Sequence, residues 1–253
     1  MARDLDFSGK TVLITGAASG IGAACAAWFA GQGAEHLVLV DRDEAGLSGL
    51  TVECEITPFV GDIADSALWE RIEIEAGPID HAVLNAGIAA GSPIAETPFT
   101  EWRRVLAVNL DGAFLSLRSA LRMLPDGGSV VLTASVSGFK AEPSTAAYAA
   151  SKAAIIQLAK VAAKESAPRR IRVNAIAPGG VDTPIWDGLP SFQDLVAQTG
   201  RREAAIEAMA RMSTPLARYA APAEIAGQIG FLLSDMARNI TGAVLVSDGG
   251  YSI

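Results

Sequence analysis

Cysteine is scarce in these 253 residues: there are two, Cys25 in an alanine-rich run and Cys54 between two glutamates. That number and spacing exclude a disulfide framework and a zinc site, and no other metal site is expected. Positive charge is also in short supply, 20 Lys and Arg against 28 Asp and Glu, for a net charge of −8 and a pI near 4.8. The summed field repels a phosphate backbone, and the pairs Arg103 and Arg104, Arg169 and Arg170, and Arg201 and Arg202 are scattered, so nucleic acid is not an expected partner. No stretch reaches the roughly 18 uncharged apolar residues of a membrane span. Met1 to Lys10 mix Arg3, Asp4 and Asp6 with little apolar length. A soluble, cytoplasmic protein without a membrane partner is expected. Linkers rich in Pro, Gly or Ser are missing, as is any long internal repeat, so residues 1–253 read as one domain. With 50% hydrophobic residues, disorder is excluded and the chain is long enough for a sizeable core.

Seven short apolar runs punctuate the chain: Thr11 to Thr15, Leu37 to Val40, Pro58 to Val60, Ala82 to Leu84, Val130 to Thr133, Arg172 to Ile176 and Ala243 to Val246. Between them, segments with helical spacing begin near Gly20, Asp43, Asp65, Thr100, Thr145 and Ala223, each expected to be long enough to cross over a sheet. This alternation predicts an α/β fold, a doubly wound parallel seven-stranded sheet with helices on both faces. Residues 181–215 break the alternation with two helical pieces, Phe192 to Gln198 and Glu203 to Met212, and read as a lid inserted over a substrate site. In such a sheet, ligands bind beyond the carboxyl ends of the strands, so polar residues there are the first candidates.

Directly after the first run comes Thr15-Gly16-Ala17-Ala18-Ser19-Gly20-Ile21-Gly22, leading into a helical pattern. Glycines let a turn approach a pyrophosphate, whose charge a helix amino terminus favours. Asp41 ends the second run, 19 positions beyond Gly22, where a carboxylate can accept hydrogen bonds from both ribose hydroxyls of an adenosine and repel a 2′-phosphate. A helix-capping or turn role is the plainer alternative for Asp41. NAD is favoured over NADP, with Arg42 as the neighbour that would meet a 2′-phosphate and Ser19 standing where an arginine clamp would. Asp62, with Ile63, follows the third run and can bond the adenine amino group or simply close a turn. Asn85, Ala86 and Gly87 follow the fourth; the Asn85 amide is expected to organise the turn and Gly87 to admit the cofactor.

Ser135 closes the fifth run, and 13 positions later comes Tyr148-Ala149-Ala150-Ser151-Lys152. Residues four apart share one helical face. A nearby ammonium and a pyridinium are expected to lower the tyrosine pKa and fit it for proton exchange with an alcohol or ketone oxygen.

With these motifs in order, the sequence resembles the short-chain dehydrogenase/reductase family in its single-domain form, a Rossmann fold. The resemblance covers essentially the whole chain. It is carried by the turn Thr15 to Gly22, Asn85-Ala86-Gly87, Val108-Asn109-Leu110, Ser135, Tyr148-x-x-x-Lys152, Asn174 to Gly179, and Ile240-Thr241-Gly242 to Asp248-Gly249-Gly250. It implies that Tyr148 is the general acid/base, Ser135 holds the substrate oxygen, Lys152 bonds the nicotinamide ribose and Asn109 holds a water of a proton relay. It also implies that Pro178, Gly179, Val181 and Thr183 run along the nicotinamide. Asn109 also reads as a buried helix amide in need of partners. Leu84 stands where the family often has an asparagine, a departure expected to affect packing and not the reaction. The four-residue tyrosine-to-lysine spacing argues against enoyl reductases of related fold.

Substrate specificity is expected from Ile88 to Ile94, from Val136 to Glu142 and from Trp186, Leu189, Phe192, Met209 and Met212, the last group serving equally as lid core. Glu142 is the charge to follow, with solvent exposure as its plainer role. No arginine cluster offers itself as an anion clamp, so the expected substrate is a neutral secondary alcohol or ketone. The helices from Thr100 to Met123 and Thr145 to Glu165 carry more apolar residues than one sheet-facing stripe needs, which deep packing would explain and which the resemblance implies are dimer faces. The resemblance implies a homotetramer completed near the final helix and Tyr251 to Ile253. The alternatives are an NADPH-dependent 3-oxoacyl thioester reductase and a non-catalytic NAD(H)-binding regulator.

Overall fold

Each of the seven apolar runs forms a strand in the computed structural model, which describes residues 5–253. Met1 to Asp4, part of the amino-terminal stretch noted above for its little apolar length, lie outside the described residues. The strands are β1 (Thr11–Thr15), β2 (His36–Asp41), β3 (Glu55–Val60), β4 (His81–Leu84), β5 (Ser129–Thr133), β6 (Arg172–Pro178) and β7 (Val244–Ser247). They pair in parallel in the order β3-β2-β1-β4-β5-β6-β7. The order reverses between β1 and β4, where the crossovers leave in opposite directions and a crevice opens at the carboxyl edge.

Parallel strands covered on both faces have no solvent side, so their residues are apolar throughout while still alternating in direction. On β1, Leu13 joins one core with Val38, Val40, Leu132 and Val173, whereas Val12 and Ile14 join the other with Leu37, Leu39 and Ile176. The first core lies under helices α3 (Ser66–Glu75), α5 (Ala113–Met123) and α6 (Ala146–Ser166). The second lies under α1 (Gly20–Gly31) and α9 (Pro222–Leu233). Leu84, 5% exposed, packs into the first core, in line with the packing role expected of it.

Two local features differ from the sequence expectation, while the two helical pieces expected in residues 181–215 are present. The helix near Asp43 is a single short turn, α2 (Glu44–Ser48), because Asp43 caps it through the Gly46 N–H and Gly49 follows at once. The connection from β2 to β3 is therefore mostly irregular chain. The helix expected from Thr100 to Met123 is broken into α4 (Phe99–Leu106) and α5 by a π-helical turn at Ala107–Gly112. The lid segment holds α7 (Pro190–Thr199) and α8 (Arg202–Ser213) around its own small core of Phe192, Ala205 and Ile206. No helix among the described residues is long and apolar enough to cross a membrane.

Candidate active site

At the carboxyl edge of the sheet a cavity of about 1150 Å³ runs from the glycine turn after β1 to the lid. Its first wall is the turn itself. Gly16 and Gly20 both have positive φ, 68° and 54°. A Cβ on Gly22 would stand 1.9 Å from the Gly16 carbonyl oxygen, and one on Gly16 2.8 Å from Ala86 Cα. Side chains are thus excluded where the backbone must fold tightly. Ser19 sits at the N-cap of α1 in extended conformation without a side-chain cap, which leaves the first-turn N–H groups of this 12-residue helix for an anion. Behind the turn, Thr15 Oγ1 accepts from the Asn85 and Ala86 N–H groups, and the Asn85 amide reaches the Thr15 and Gly16 carbonyls. Asn85 organises the turn, as its residue type suggested.

Asp41, at the end of β2, accepts from the Ala18 N–H on Oδ2 and from the Asp43 N–H on Oδ1, both at 3.0 Å. Two backbone donors hold the carboxylate at the cavity wall with lone pairs to spare for ribose hydroxyls. Arg42 lines the same wall and is exposed. Asp62 also lines it while closing a turn onto the Ala64 N–H at 2.9 Å, so its plainer role is present in the structure. The adjoining Ile63 is held by Trp69, whose Nε1 donates to the Ile63 carbonyl at 2.8 Å.

The second wall carries Ser135, Tyr148 and Lys152. Ser135 follows β5, and its Oγ accepts from the Ser137 N–H at 3.2 Å, which leaves its own O–H to donate. Tyr148 and Lys152 lie on the first two turns of α6 and face the cavity. Lys152 is buried and donates to the Thr133 carbonyl at 2.8 Å; burial pushes its ammonium down to about 8. Burial also raises the Tyr148 phenol above its ordinary value, with Ser135 pulling the other way. The Lys152 Nζ is 5.6 Å from the Tyr148 ring centroid. The lowering of the tyrosine expected from lysine is therefore not reached through these residues alone, because desolvation of the phenolate outweighs the more distant cation.

Asn109, 1% exposed in the π-helical turn, spends both amide N–H donors and one oxygen lone pair on neighbours. Oδ1 accepts from the Ile88 N–H at 2.8 Å, and Nδ2 donates to the Ile88 carbonyl at 3.0 Å and to Ser151 Oγ at 3.2 Å. The side chain thus ties the loop after β4 to α6, and its reading as a buried amide needing partners holds. Gly87 sits beside it: a Cβ there would be 3.3 Å from Asn109 Oδ1 and 3.4 Å from Lys152 Nζ.

A family model described as enoyl-(acyl carrier protein) reductase matches residues 16–252. A cis-4-hydroxycyclohexanecarboxylate dehydrogenase of Sinomonas cyclohexanicum is 36% identical over 97% of this chain and 98% of its own. The chain belongs to the short-chain dehydrogenase/reductase family. Among solved structures, L-sorbose reductase from Gluconobacter frateurii, complexed with NADPH and L-sorbose, superposes with a TM-score of 0.91 at 28% identity over 98% of both chains. A 3-oxoacyl-[acyl-carrier protein] reductase with bound NAD from Brucella melitensis reaches 0.83 at 31% identity, over 100% of this chain and 97% of that one. The family is one of oxidoreductases, and the seven-stranded Rossmann sheet is the fold shared with these structures.

In this short-chain dehydrogenase/reductase the third wall is the segment after β6. Pro178, Gly179, Val181 and Thr183 all line the cavity, with Thr183 Cγ2 3.2 Å from the position of a Cβ on Gly20. Arg202, first residue of α8, secures the segment at three points: Asp182 Oδ1 at 2.6 Å, the Thr183 carbonyl at 2.9 Å and Asp187 Oδ1 at 2.8 Å. Of the apolar lid residues proposed for the pocket, Trp186 and Leu189 line it. Phe192 and Met209 pack inside the lid instead, and Met212 is 87% exposed, because the apolar stripes of α7 and α8 face each other.

Two side chains find each other only in the folded chain. Glu142, for which solvent exposure was the plainer role, is half-buried on the cavity wall. Tyr251, assigned by resemblance to the region completing an assembly, lies on the same wall and donates its phenol to Glu142. The Asp248-Gly249-Gly250 sequence was the available signal. Asp248 accepts from the Gly250 and Ser252 N–H groups and bends the chain end back to the site.

Proposed function

We propose that this protein is an NAD-dependent oxidoreductase that interconverts a neutral secondary alcohol and its ketone, with Tyr148 as general acid/base. The observation that carries the reading is that Ser135, Tyr148 and Lys152 share one cavity with the glycine turn and with Asp41 at the end of β2. The residues fit a dinucleotide. The tight turn at Gly16 and Gly22 leaves no room for side chains, the α1 N–H groups are free of a side-chain cap, and Asp41 is held ready by two backbone donors. When bound, the nicotinamide ring takes up or supplies the hydride.

The chain's own residues manage the proton and the geometry. Ser135, its lone pair engaged by Ser137, donates its hydroxyl to the substrate oxygen. In oxidation the Tyr148 phenolate, which the Lys152 ammonium and a bound pyridinium would favour, accepts the alcohol's proton as the C–H hydride leaves; in reduction the neutral phenol gives its proton to the carbonyl oxygen. An ammonium has three donors, and Lys152 uses one on the Thr133 carbonyl, leaving others for the nicotinamide ribose. Asn109 would serve a water-mediated relay through its backbone, since its side chain is committed elsewhere. Residues 181–215 would act as the lid, closed over the substrate by Trp186 and Leu189.

Asp41 supports NAD, and Arg42 beside it leaves a route for some NADP use. A 3-oxoacyl thioester reductase is the second reading, favoured by likeness to the Brucella structure. Because that structure holds NAD, cofactor choice does not separate the readings; the thioester itself does. The net charge of −8 counts against docking an acidic carrier protein. The Tyr148-to-Lys152 spacing favours carbonyl over enoyl reduction. A homotetramer is in keeping with Phe114 on α5 and Val161 on α6, 49% and 42% exposed, and a cytoplasmic location with two free cysteines.

The test follows absorbance of the reduced nicotinamide while secondary alcohols, ketones and a short 3-oxoacyl thioester are run with each cofactor pair. Turnover of neutral alcohols with NAD is the expected result. Tyr148→Phe should retain cofactor binding and lose turnover by about 100-fold or more, and unchanged turnover would sink the assignment.

A further inference from the structure

The loop between β5 and α6 carries Glu142 seven residues after Ser135 and six before Tyr148, on the wall of the same cavity. Its backbone is held by Thr145, whose Oγ1 donates to the Glu142 carbonyl at 2.8 Å. Its carboxylate meets a residue 109 positions away: Tyr251 donates its phenol to Oε1 at 2.5 Å. Lys140 completes the group, with Nζ 4.0 Å from Oε1 and 3.7 Å from the Tyr251 ring centroid, and a hydrogen bond to the Tyr251 carbonyl. Three contacts therefore hold the chain end against the loop that bears the reactive serine.

What this cluster offers a ligand follows from donor and acceptor counts. Oε2 of Glu142 has no protein donor among the described residues. The Tyr251 phenol spends its one O–H on a hydrogen bond to Glu142, and its oxygen keeps lone pairs. Lys140 keeps donors of its own but does not line the cavity, so the free positions on the cavity wall are both acceptors and call for a donor. Lys140 balances the carboxylate charge, which weakens any call for a cation, while the carboxylate itself repels an anion brought within bonding distance. A neutral hydroxyl satisfies both conditions. An aliphatic group there would leave a half-buried carboxylate without the donor that water had supplied.

We propose that Glu142 and Tyr251 form a specificity subsite for a second hydroxyl, so that the substrate is an uncharged alcohol or ketone bearing at least one further OH. The proposal rests on the oxidoreductase reading above and deepens it. Lys140 acts as a positioning residue, holding Tyr251 against Glu142. Substrates that would place a carboxylate or phosphate against Glu142 are disfavoured.

The experiment compares cyclohexanol with the cyclohexane-1,2-, 1,3- and 1,4-diols in the full chain, for the wild type, Tyr251→Phe and Glu142→Gln. Tyr251→Phe keeps the ring over Lys140 and removes only the hydroxyl, so folding is preserved. Two quantities are read: kcat/KM, and the shift in melting temperature that each alcohol produces with NAD present. At least one diol should exceed cyclohexanol in kcat/KM by about 10- to 100-fold. Most of that ratio should vanish in both variants, through KM, with cyclohexanol turnover falling far less. Equal kcat/KM for cyclohexanol and every diol, or a ratio that survives both substitutions, overturns the subsite and leaves the oxidoreductase reading standing. Absence of turnover with every alcohol and ketone overturns that reading instead. The melting shifts then decide the subsite: diol-specific shifts lost in Tyr251→Phe support it, and shifts that persist or never occur overturn it.

Discussion

His81 opens β4 at the edge of the sheet opposite the cavity, and its ring is largely buried against Phe7 at a centroid distance of 5.2 Å. Nδ1 pairs with Ser129 Oγ at 2.9 Å. Burial pushes the imidazole from 6.5 down to about 4, against the opposing pull of Asp80. In the unfolded chain the ring takes up its proton near 6.5, so between pH 6.5 and 4 the unfolded state binds more protons than the folded one. Stability from the neutral ring is full above pH 6.5 and is lost as pH falls towards 4. At 1.36 kcal/mol per pH unit, the loss by pH 4.5 is about 2.5 kcal/mol. His81→Gln removes the titration but keeps a polar partner for Ser129, at a cost of about 1 kcal/mol for the lost ring packing. Urea unfolding of both proteins at pH 7, 5.5 and 4.5 checks this. The wild type should be the more stable at pH 7 and should lose its lead by pH 4.5. The comparison removes acid effects shared by both chains, such as protonation of Glu224, which its Arg218 partner holds down to about 2. Parallel pH dependence in the two proteins would refute the assignment of a buried neutral ring.

Gly22→Ala forces a Cβ to within 1.9 Å of the Gly16 carbonyl oxygen, which only a change of the turn can relieve. Dinucleotide binding measured by calorimetry should fall by about 100-fold or more, with about 1–3 kcal/mol of stability, whereas Gly31→Ala, with nothing within 4 Å, should leave binding intact. Asp41→Ala should relax the ratio of kcat/KM for NAD over NADP by about 10- to 100-fold, and an unchanged ratio would mean that Asp41 does not read the ribose. Arg202→Gln removes three ties to residues 182–187. Because these groups are partly exposed, the cost in global stability should stay near about 1 kcal/mol, while limited proteolysis of the lid quickens and KM for the cofactor rises more than kcat falls.

The local patterns of the chain determined the architecture. Strands covered on both faces are apolar at nearly every position, so runs such as Leu37 to Val40 and Val130 to Thr133 are visible as runs, and the polar residues that follow them, Asp41 and Ser135, fall at the carboxyl edge that the cavity occupies. Tyr148 and Lys152 share a helical face by spacing alone. Helix interruption at Ala107–Gly112 left no such pattern, because a π-turn adds a residue without changing composition. Tertiary structure alone decided the contacts between distant turns: Asn109 with Ile88 and Ser151, Lys152 with Thr133, Asp41 with Ala18, and Tyr251 with Glu142. It also decided the sign of the Tyr148 shift, since desolvation depends on which elements close over a side chain, a quantity no local period encodes. Periodicity is carried by neighbours in sequence and specifies which face of an element is buried. Hydrogen-bond partners and burial at the sheet edge arise where separate loops converge, and those depend on how the crossovers pack.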